Sequence, residues 1–215
     1  SAVIGQGFTL ATPMQLARMT ATLANGGRLH RPILVDRVVG PGGDVVLHSE
    51  PEIVGTVDLA PEHFESIREG MFSVVEDQGG TARQQRLKSL AYAGKTGTAQ
   101  VVALSKVRHG ADGRPLEQFR DHALFVAFAP YDNPEVAISV LIEHGEHGST
   151  AAAPIARKLF EHYFKGRAEH SVERGERLGQ PEGRRATGWT APAREPELES
   201  ERHFVPVPGL APEDL

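Results

Sequence analysis

The segment Tyr92-Ala93-Gly94-Lys95-Thr96-Gly97-Thr98-Ala99-Gln100 predicts a β-strand with room for a ligand to approach its backbone. Lys95 supplies a positive charge, and Thr96 and Thr98 supply hydroxyl donors, a combination suited to binding a carboxylate. Gly97 lets a bound peptide pair with the strand, and a backbone N–H beside it suits an oxyanion. The alternative is a surface strand with a solvated lysine, since a Lys-Thr-Gly triplet occurs by chance in roughly one chain in twenty of this length.

Two apolar runs follow this strand and predict a hairpin. Ala123–Ala129 and Val136–Glu143 are nearly continuous in hydrophobicity, and Tyr131–Pro134 between them has turn chemistry. Such runs indicate antiparallel strands covered on both faces. A smaller hairpin is expected earlier, from a strand at Pro32–Val39 and a partner at Val45–His48.

Helices are predicted on either side of these strands. Thr12, Pro13 and Gln15 form a capping-box start, and Asn25–Gly27 ends that helix. A second helix begins near Pro61 and is expected to end at Gly79–Gly80. Its apolar stripe is Phe64, Ile67, Met71, Val74 and Val75.

The last predicted helix spans Pro154–Phe164, with Ile155, Leu159, Tyr163 and also Phe160 directed inward. The resulting fold class is α+β, an antiparallel sheet packed with helices. Residues 166–215 contain six Pro, six Gly and seventeen charged residues without apolar periodicity, which predicts a disordered polar tail. We therefore divide the chain into a folded part, residues 1–165, and a tail, residues 166–215.

Composition excludes several functional classes. The chain has 23 basic and 28 acidic residues among 215, a net charge of −5, so a nucleic-acid partner has no electrostatic support. The longest apolar run, Ala123–Ala129, is too short to span a bilayer. No cysteine is present, which removes thiolate catalysis and Cys-ligated zinc.

Cofactor and metal sites are not expected. Gly94-Lys95-Thr96 lacks the glycine that a phosphate-binding P-loop places five residues before it, where this chain has Leu90. Glu143–Gly148 carries two histidines, but it follows a strand and contains two glycines, so it provides no rigid ligand set. No Ser-His-Asp arrangement or nucleophile elbow can be assembled.

Several segments together resemble one family. Ala93–Gln100 resembles the Lys-Thr-Gly box of the penicillin-recognising transpeptidases, a family with the same fold as β-lactamases. Ile4–Phe8 with Ala11–Gln15 is similar to the stretch before that box, and Asp121–Pro134 to the paired strands after it. The likeness covers about residues 1–165 and is strongest to the elongation-type peptidoglycan D,D-transpeptidases of rod-shaped Gram-negative bacteria.

The resemblance implies roles for the strand residues. Lys95 would give positive potential for the substrate or β-lactam carboxylate, and Thr96 and Thr98 would hydrogen-bond it. Gly97 would admit the donor peptide, and the Thr98 N–H would form half of the oxyanion hole. The family also uses Ser-x-x-Lys and Ser-x-Asn boxes, and neither occurs here. We therefore expect the C-terminal part of a transpeptidase domain, without the nucleophile and inactive alone.

The resemblance also implies partners and a location. The partners would be peptidoglycan stem peptides, β-lactams, the upstream half of the same domain, and cell-elongation proteins including a glycosyltransferase. The location would be the periplasmic face of the bacterial inner membrane, through an upstream anchor. Two alternatives stay open: a non-catalytic docking module on the same scaffold, and a D,D-carboxypeptidase or β-lactamase relative.

Overall fold

The computed structural model describes residues 10–102 and 106–173, with side chains through residue 166. None of the helices in these residues combines the length and the hydrophobicity that a membrane span requires. The elements in chain order are α1 (Pro13–Ala24), β1 (Arg28–His30), β2 (Arg37–Val39), β3 (Val45–His48), β4 (Ile53–Thr56), α2 (Pro61–Glu76), β5 (Ala93–Ala99), β6 (His122–Ala129), β7 (Val136–Ile142) and α3 (Ala153–Glu173).

The main sheet has three antiparallel strands in the order β5-β6-β7. Its register pairs Lys95 with Val126 and Phe125 with Val140, so the predicted hairpin of two apolar strands is confirmed. Among the described residues, β5 and β7 each have a single strand partner, and the sheet ends at both.

Helices cover both faces of this sheet, as expected from the apolar runs. Phe125 and its neighbours pack against α3, where Phe160 is fully buried. Phe128 points to the other face and packs with Ala24 of α1 and Met71 of α2. Because directly paired residues of an antiparallel ladder share a face, the two clusters lie on opposite sides of the sheet.

The start of α1 follows its predicted chemistry. The Thr12 hydroxyl accepts from the Gln15 N–H at 3.2 Å, and the Gln15 side chain accepts from the Thr12 N–H at 2.8 Å. Pro13 occupies the first helical turn. The helix ends at Asn25, and Gly26 and Gly27 then adopt positive φ angles of 78° and 100°.

The region between α1 and α2 forms two small antiparallel pairs, β1 with β4 and β2 with β3. The prediction that Val45–His48 forms one strand of a hairpin is confirmed, since this segment is β3 and pairs with β2. The strand predicted over Pro32–Val39 is wrong in extent, since only Arg37–Val39 pairs. Proline has no N–H to donate to a ladder, and the chain at Pro32 runs without a strand partner.

Helix α2 begins at Pro61 as predicted, but one inward residue is charged. Ile67 was expected inside and is 39% exposed, whereas Arg68 is buried. The Arg68 guanidinium donates to Ala24 O at the end of α1 and to Tyr131 O at 2.7 Å. It also lies 5.1 Å and 5.3 Å from the ring centres of Phe128 and Tyr131. Burial lowers the pKa of this guanidinium, and the two carbonyls and two rings replace lost water.

Helix α3 differs from its prediction in length and face. Ile155, Leu159 and Tyr163 are 39%, 48% and 41% exposed, so the predicted inward stripe is wrong except for Phe160. The buried face is made of Ala153, Ala156 and Phe160, together with Ala152 just before the helix, because small side chains let the chain approach β6 closely.

The helix also continues to Glu173, past Phe164 and into the segment predicted to be disordered. The predicted boundary after residue 165 therefore falls inside a helix. The rest of the predicted tail, residues 174–215, lies outside the described residues.

Candidate functional site

The edge strand β5 carries the predicted site residues. A Cβ at Gly94 would lie 2.4 Å from Phe125 Cζ, so this glycine is required by the buried ring beneath the strand. A Cβ at Gly97 would lie 3.3 Å from Leu124 Cβ, a tight but smaller conflict. The two glycines of the segment therefore differ: packing demands Gly94, while half-buried Gly97 faces only one tight side-chain contact.

Strand alternation separates the polar side chains of the site. Lys95 pairs with Val126 and shares the α1 face with Gly97, whereas Thr96 and Thr98 pair with Phe125 and Ala123 on the α3 face. Lys95 and Thr98 are exposed and Thr96 is half-buried. The charge and the hydroxyls thus lie on the two sides of one edge strand, not side by side as the sequence suggested.

Each polar side chain has a local partner. Lys95 Nζ donates to the Thr96 carbonyl at 2.9 Å, and among the described residues no carboxylate pairs with it. Thr96 Oγ1 lies 3.1 Å from Thr81 Oγ1, and Thr98 Oγ1 donates to Glu146 O at 3.4 Å. An exposed ammonium without a counter-ion is available to an anionic ligand.

Two residues near the strand were not found by sequence reasoning. Gly148 lies against Gly97, since a Cβ there would be 2.7 Å from Gly97 O and 2.2 Å from Leu124 O. Thr81 follows the turn after α2 and reaches Thr96. Neither residue belongs to a local pattern with β5, because only the tertiary fold brings these segments to the strand.

Tyr92, directly before β5, is structural. Its ring is fully buried against Phe160 at a centroid distance of 5.2 Å, and its hydroxyl donates to Gln85 O at 2.7 Å. Burial raises the pKa of Tyr92 well above its usual value. A phenol held neutral in this way does not serve as a base at neutral pH.

No complete nucleophile is found among the described residues. None of their serine hydroxyls is hydrogen-bonded to a lysine or histidine side chain, the arrangement that would activate it. Ser139 lies on the Lys95 face of β7, with its hydroxyl buried and without a protein partner. The described part of the chain therefore shows no serine that a neighbouring base activates.

The histidine-containing segment after β7 is also accounted for locally. His144 Nδ1 bonds to Arg120 O at 3.1 Å, and residues 10–102 and 106–173 contain no cluster of three potential metal ligands. The Ile4–Phe8 segment quoted above lies outside the described residues.

Comparison with known proteins identifies the family of this chain. The family model for the penicillin binding protein transpeptidase domain matches residues 1–161. The chain belongs to this family. A relative named peptidoglycan D,D-transpeptidase MrdA, from Haemophilus influenzae, is 36% identical over 169 residues, covering 76% of this chain and 25% of the relative.

Solved structures of the transpeptidase family show the same fold. Pseudomonas aeruginosa PBP2 in complex with WCK 5153 is 39% identical, with a TM-score of 0.58 over 74% of this chain and 31% of that one. Helicobacter pylori PBP2 in complex with MreC is 29% identical, with a TM-score of 0.57 over 76% of this chain and 26% of that one. The likeness to PBP2-type transpeptidases is confirmed, and this chain spans about a quarter to a third of their length.

Proposed function

We propose that this chain forms the carboxylate-binding edge of a serine-type peptidoglycan D,D-transpeptidase of the PBP2 type. The observation that carries the proposal is the exposed Lys95 ammonium, without an ion-pair partner among the described residues, beside Gly97 on an edge strand. A charge and a free strand edge together match an extended peptide that ends in a carboxylate.

Each strand residue has a role in this proposal. From one face of β5, Lys95 attracts the carboxylate of a D-Ala-D-Ala stem peptide or of a β-lactam to the strand edge, and the Thr96 and Thr98 hydroxyls, from the other face, hydrogen-bond it. For Thr98 this means exchanging the long 3.4 Å contact with Glu146 O for a charged acceptor. Gly97 admits the peptide backbone, and the Thr98 N–H stabilises the oxyanion.

The reaction is acyl transfer through a covalent intermediate. A serine attacks the carbonyl of the penultimate D-Ala and forms an ester, and the terminal D-Ala leaves as an amine. An amine of a second stem peptide then attacks the ester, forms the cross-link and releases the serine. A β-lactam is attacked in the same way, its ring amide opening without loss of a leaving group.

The serine and its base come, in this proposal, from the upstream half of the same domain. The supporting observation is β7, which has no second strand partner among the described residues although six of its seven side chains are apolar. The full protein would act at the periplasmic face of the inner membrane with elongation partners, including a glycosyltransferase.

The test is covalent labelling by fluorescent penicillin. The chain alone is expected to remain unlabelled, and the assembled protein, meaning this chain co-expressed with the upstream half of the domain, is expected to be labelled. Stoichiometric labelling of a serine in the isolated chain would contradict the proposal. No labelling of a folded assembled protein would favour the docking-module alternative, and rapid drug hydrolysis would favour the β-lactamase or carboxypeptidase relative.

A lysine pair tests the site itself. Lys95→Met in the assembled protein is expected to slow acylation about 10- to 150-fold, the range for a hydrogen bond to a charged group. Lys88→Met removes another exposed lysine of the same domain and should leave the rate unchanged. Equal rates for both variants would refute the role of Lys95.

A further inference from the structure

The loop Glu143–His147 joins β7 to the turn before α3 and supports the end of β5. Glu146 O accepts from Thr98 Oγ1 at 3.4 Å, and Gly148, directly after the loop, packs on the backbone of Gly97. The two site residues at this end of the strand therefore depend on where the loop lies.

Two residues of this loop have left-handed backbones. His144 and Glu146 have φ angles of 56° and 64°, a conformation that residues with a Cβ rarely adopt. Such a backbone persists when surrounding contacts hold it. One contact is the Glu146 N–H donating to Asp121 O at 2.9 Å, and another is the His144 N–H donating to His122 Nδ1 at 3.0 Å.

The hydrogen bonds define the protons on both histidine rings. His122 Nδ1 accepts from a backbone N–H, so it carries no proton and the neutral ring is protonated at Nε2. His144 Nδ1 lies 3.1 Å from Arg120 O, which only accepts, so this nitrogen carries the proton. The rings are edge to face with centroids 5.0 Å apart.

The consequences of protonation differ between the two rings. A proton added to His144 goes to Nε2 and leaves its bond to Arg120 O intact. A proton added to His122 goes to Nδ1 and replaces an acceptor with a donor that faces the His144 N–H. Only the second event removes a contact that holds the loop.

The neighbouring elements contribute few other charges. The ladder partner of His122 is Ala99 on β5, and the turn at Gly148–Ala152 has no charged residue. The titratable and charged groups adjacent to His122 in sequence are Arg120 and Asp121. The loop that contacts it through His144 carries Glu143, His144, Glu146 and His147.

We propose that His122 is a positioning residue that, in its neutral form, holds the loop Glu143–His147 against β5 and so fixes Gly97 and Thr98. The link to these two residues rests on the proposed function. Protonation of the His122 ring would replace the acceptor with a donor, so acidification is expected to release the loop and weaken ligand capture.

The test compares His122 variants of the assembled protein by penicillin acylation between pH 5 and 8. The His122→Asn variant keeps an oxygen acceptor that does not change with pH. The acylation rate of wild type divided by that of His122→Asn should therefore fall about fivefold on acidification, which is the factor that one ordinary hydrogen bond contributes. His122→Phe should be slowed by a similar factor at pH 8, and the exposed control His162→Asn should follow wild type. A constant ratio of wild type to His122→Asn would overturn the proposal.

A second measurement does not depend on activity. Imidazole ¹⁵N NMR of the assembled protein should find the Nε2–H form for His122 and the Nδ1–H form for His144 at pH 8. The protection of the His144 amide against hydrogen exchange should fall when the pH is lowered from 8 to 5. If the protection of the His144 amide does not change with pH, the inference is overturned even if penicillin acylates the protein. If the protection changes as expected but no acylation occurs, the result counts against the proposed function alone.

Discussion

A methyl group added at Gly97 tests whether a ligand lies against this strand. The new Cβ would be 3.3 Å from Leu124 Cβ and 4.0 Å from Leu124 O, and Leu124 is half-buried and able to shift slightly. The backbone of Gly97 is outside the left-handed region, so alanine also gains about 0.4–1 kcal/mol from the unfolded state. We expect the free energy of unfolding to change by less than about 1 kcal/mol.

Ligand capture should respond far more strongly. The methyl group lies on the Lys95 face, where a peptide paired with β5 would be displaced. A displacement of about 1 Å at a reacting centre costs about 10²-fold in rate. Acylation of the Gly97→Ala assembled protein by fluorescent penicillin should therefore fall by about this factor, while its thermal unfolding midpoint stays near wild type.

Two other glycines provide controls. Gly94→Ala places a Cβ 2.4 Å from the buried Phe125 ring and should destabilise by about 1–3 kcal/mol or more. Gly70→Ala, on an exposed helical position with open space, should stabilise by about 0.5–1 kcal/mol. An unchanged acylation rate for Gly97→Ala would refute the reasoning about ligand approach.

Two further predictions concern stability and are measured by denaturant unfolding of the assembled protein. Phe160→Ala removes the contact with Tyr92 and should lower the free energy of unfolding by about 3–5 kcal/mol. Leu159→Ala, on the exposed face of α3, should lower it far less, and equal losses would contradict the observed helix face. Burial raises the pKa of Glu76, so the folded state keeps a proton that the unfolded state releases, and stability is lost as pH rises from about 4.5 through the higher folded pKa. Glu76→Gln should abolish that loss and Glu69→Gln, on the exposed face, should not; identical pH profiles for the two variants would refute it.

Local sequence signals predicted the elements that are stabilised locally. The capping box at Thr12 and the apolar runs of β6 and β7 need no distant partner to be recognised. The strand β5 was predicted in the same way, and its candidate residues Lys95 and Gly97 could be singled out because they are close in sequence. The register with β6 was needed to show that Lys95 and Gly97 lie on one face of the sheet and the two threonines on the other.

Packing choices between distant segments were not predictable. The apolar residues Leu159 and Tyr163 of α3 gave a convincing stripe, but close approach to β6 selected the alanine face instead. The inward position of Arg68 was missed because its partners are carbonyls 44 and 63 residues away. Gly148 likewise acquires its role from a neighbour about fifty positions earlier.

The buried guanidinium of Arg68 has a consequence for cooperativity. The Arg68 guanidinium belongs to α2 and donates to a carbonyl at the end of α1 and to a carbonyl in the turn between β6 and β7. Three segments that are remote along the chain therefore share one polar group. If any one of these segments unfolded, the cation would remain in an apolar interior without all of its partners. This favours states in which all three segments are ordered or none is. Lysine, with one compact ammonium and no flat surface for two aromatic rings, would not reproduce this junction.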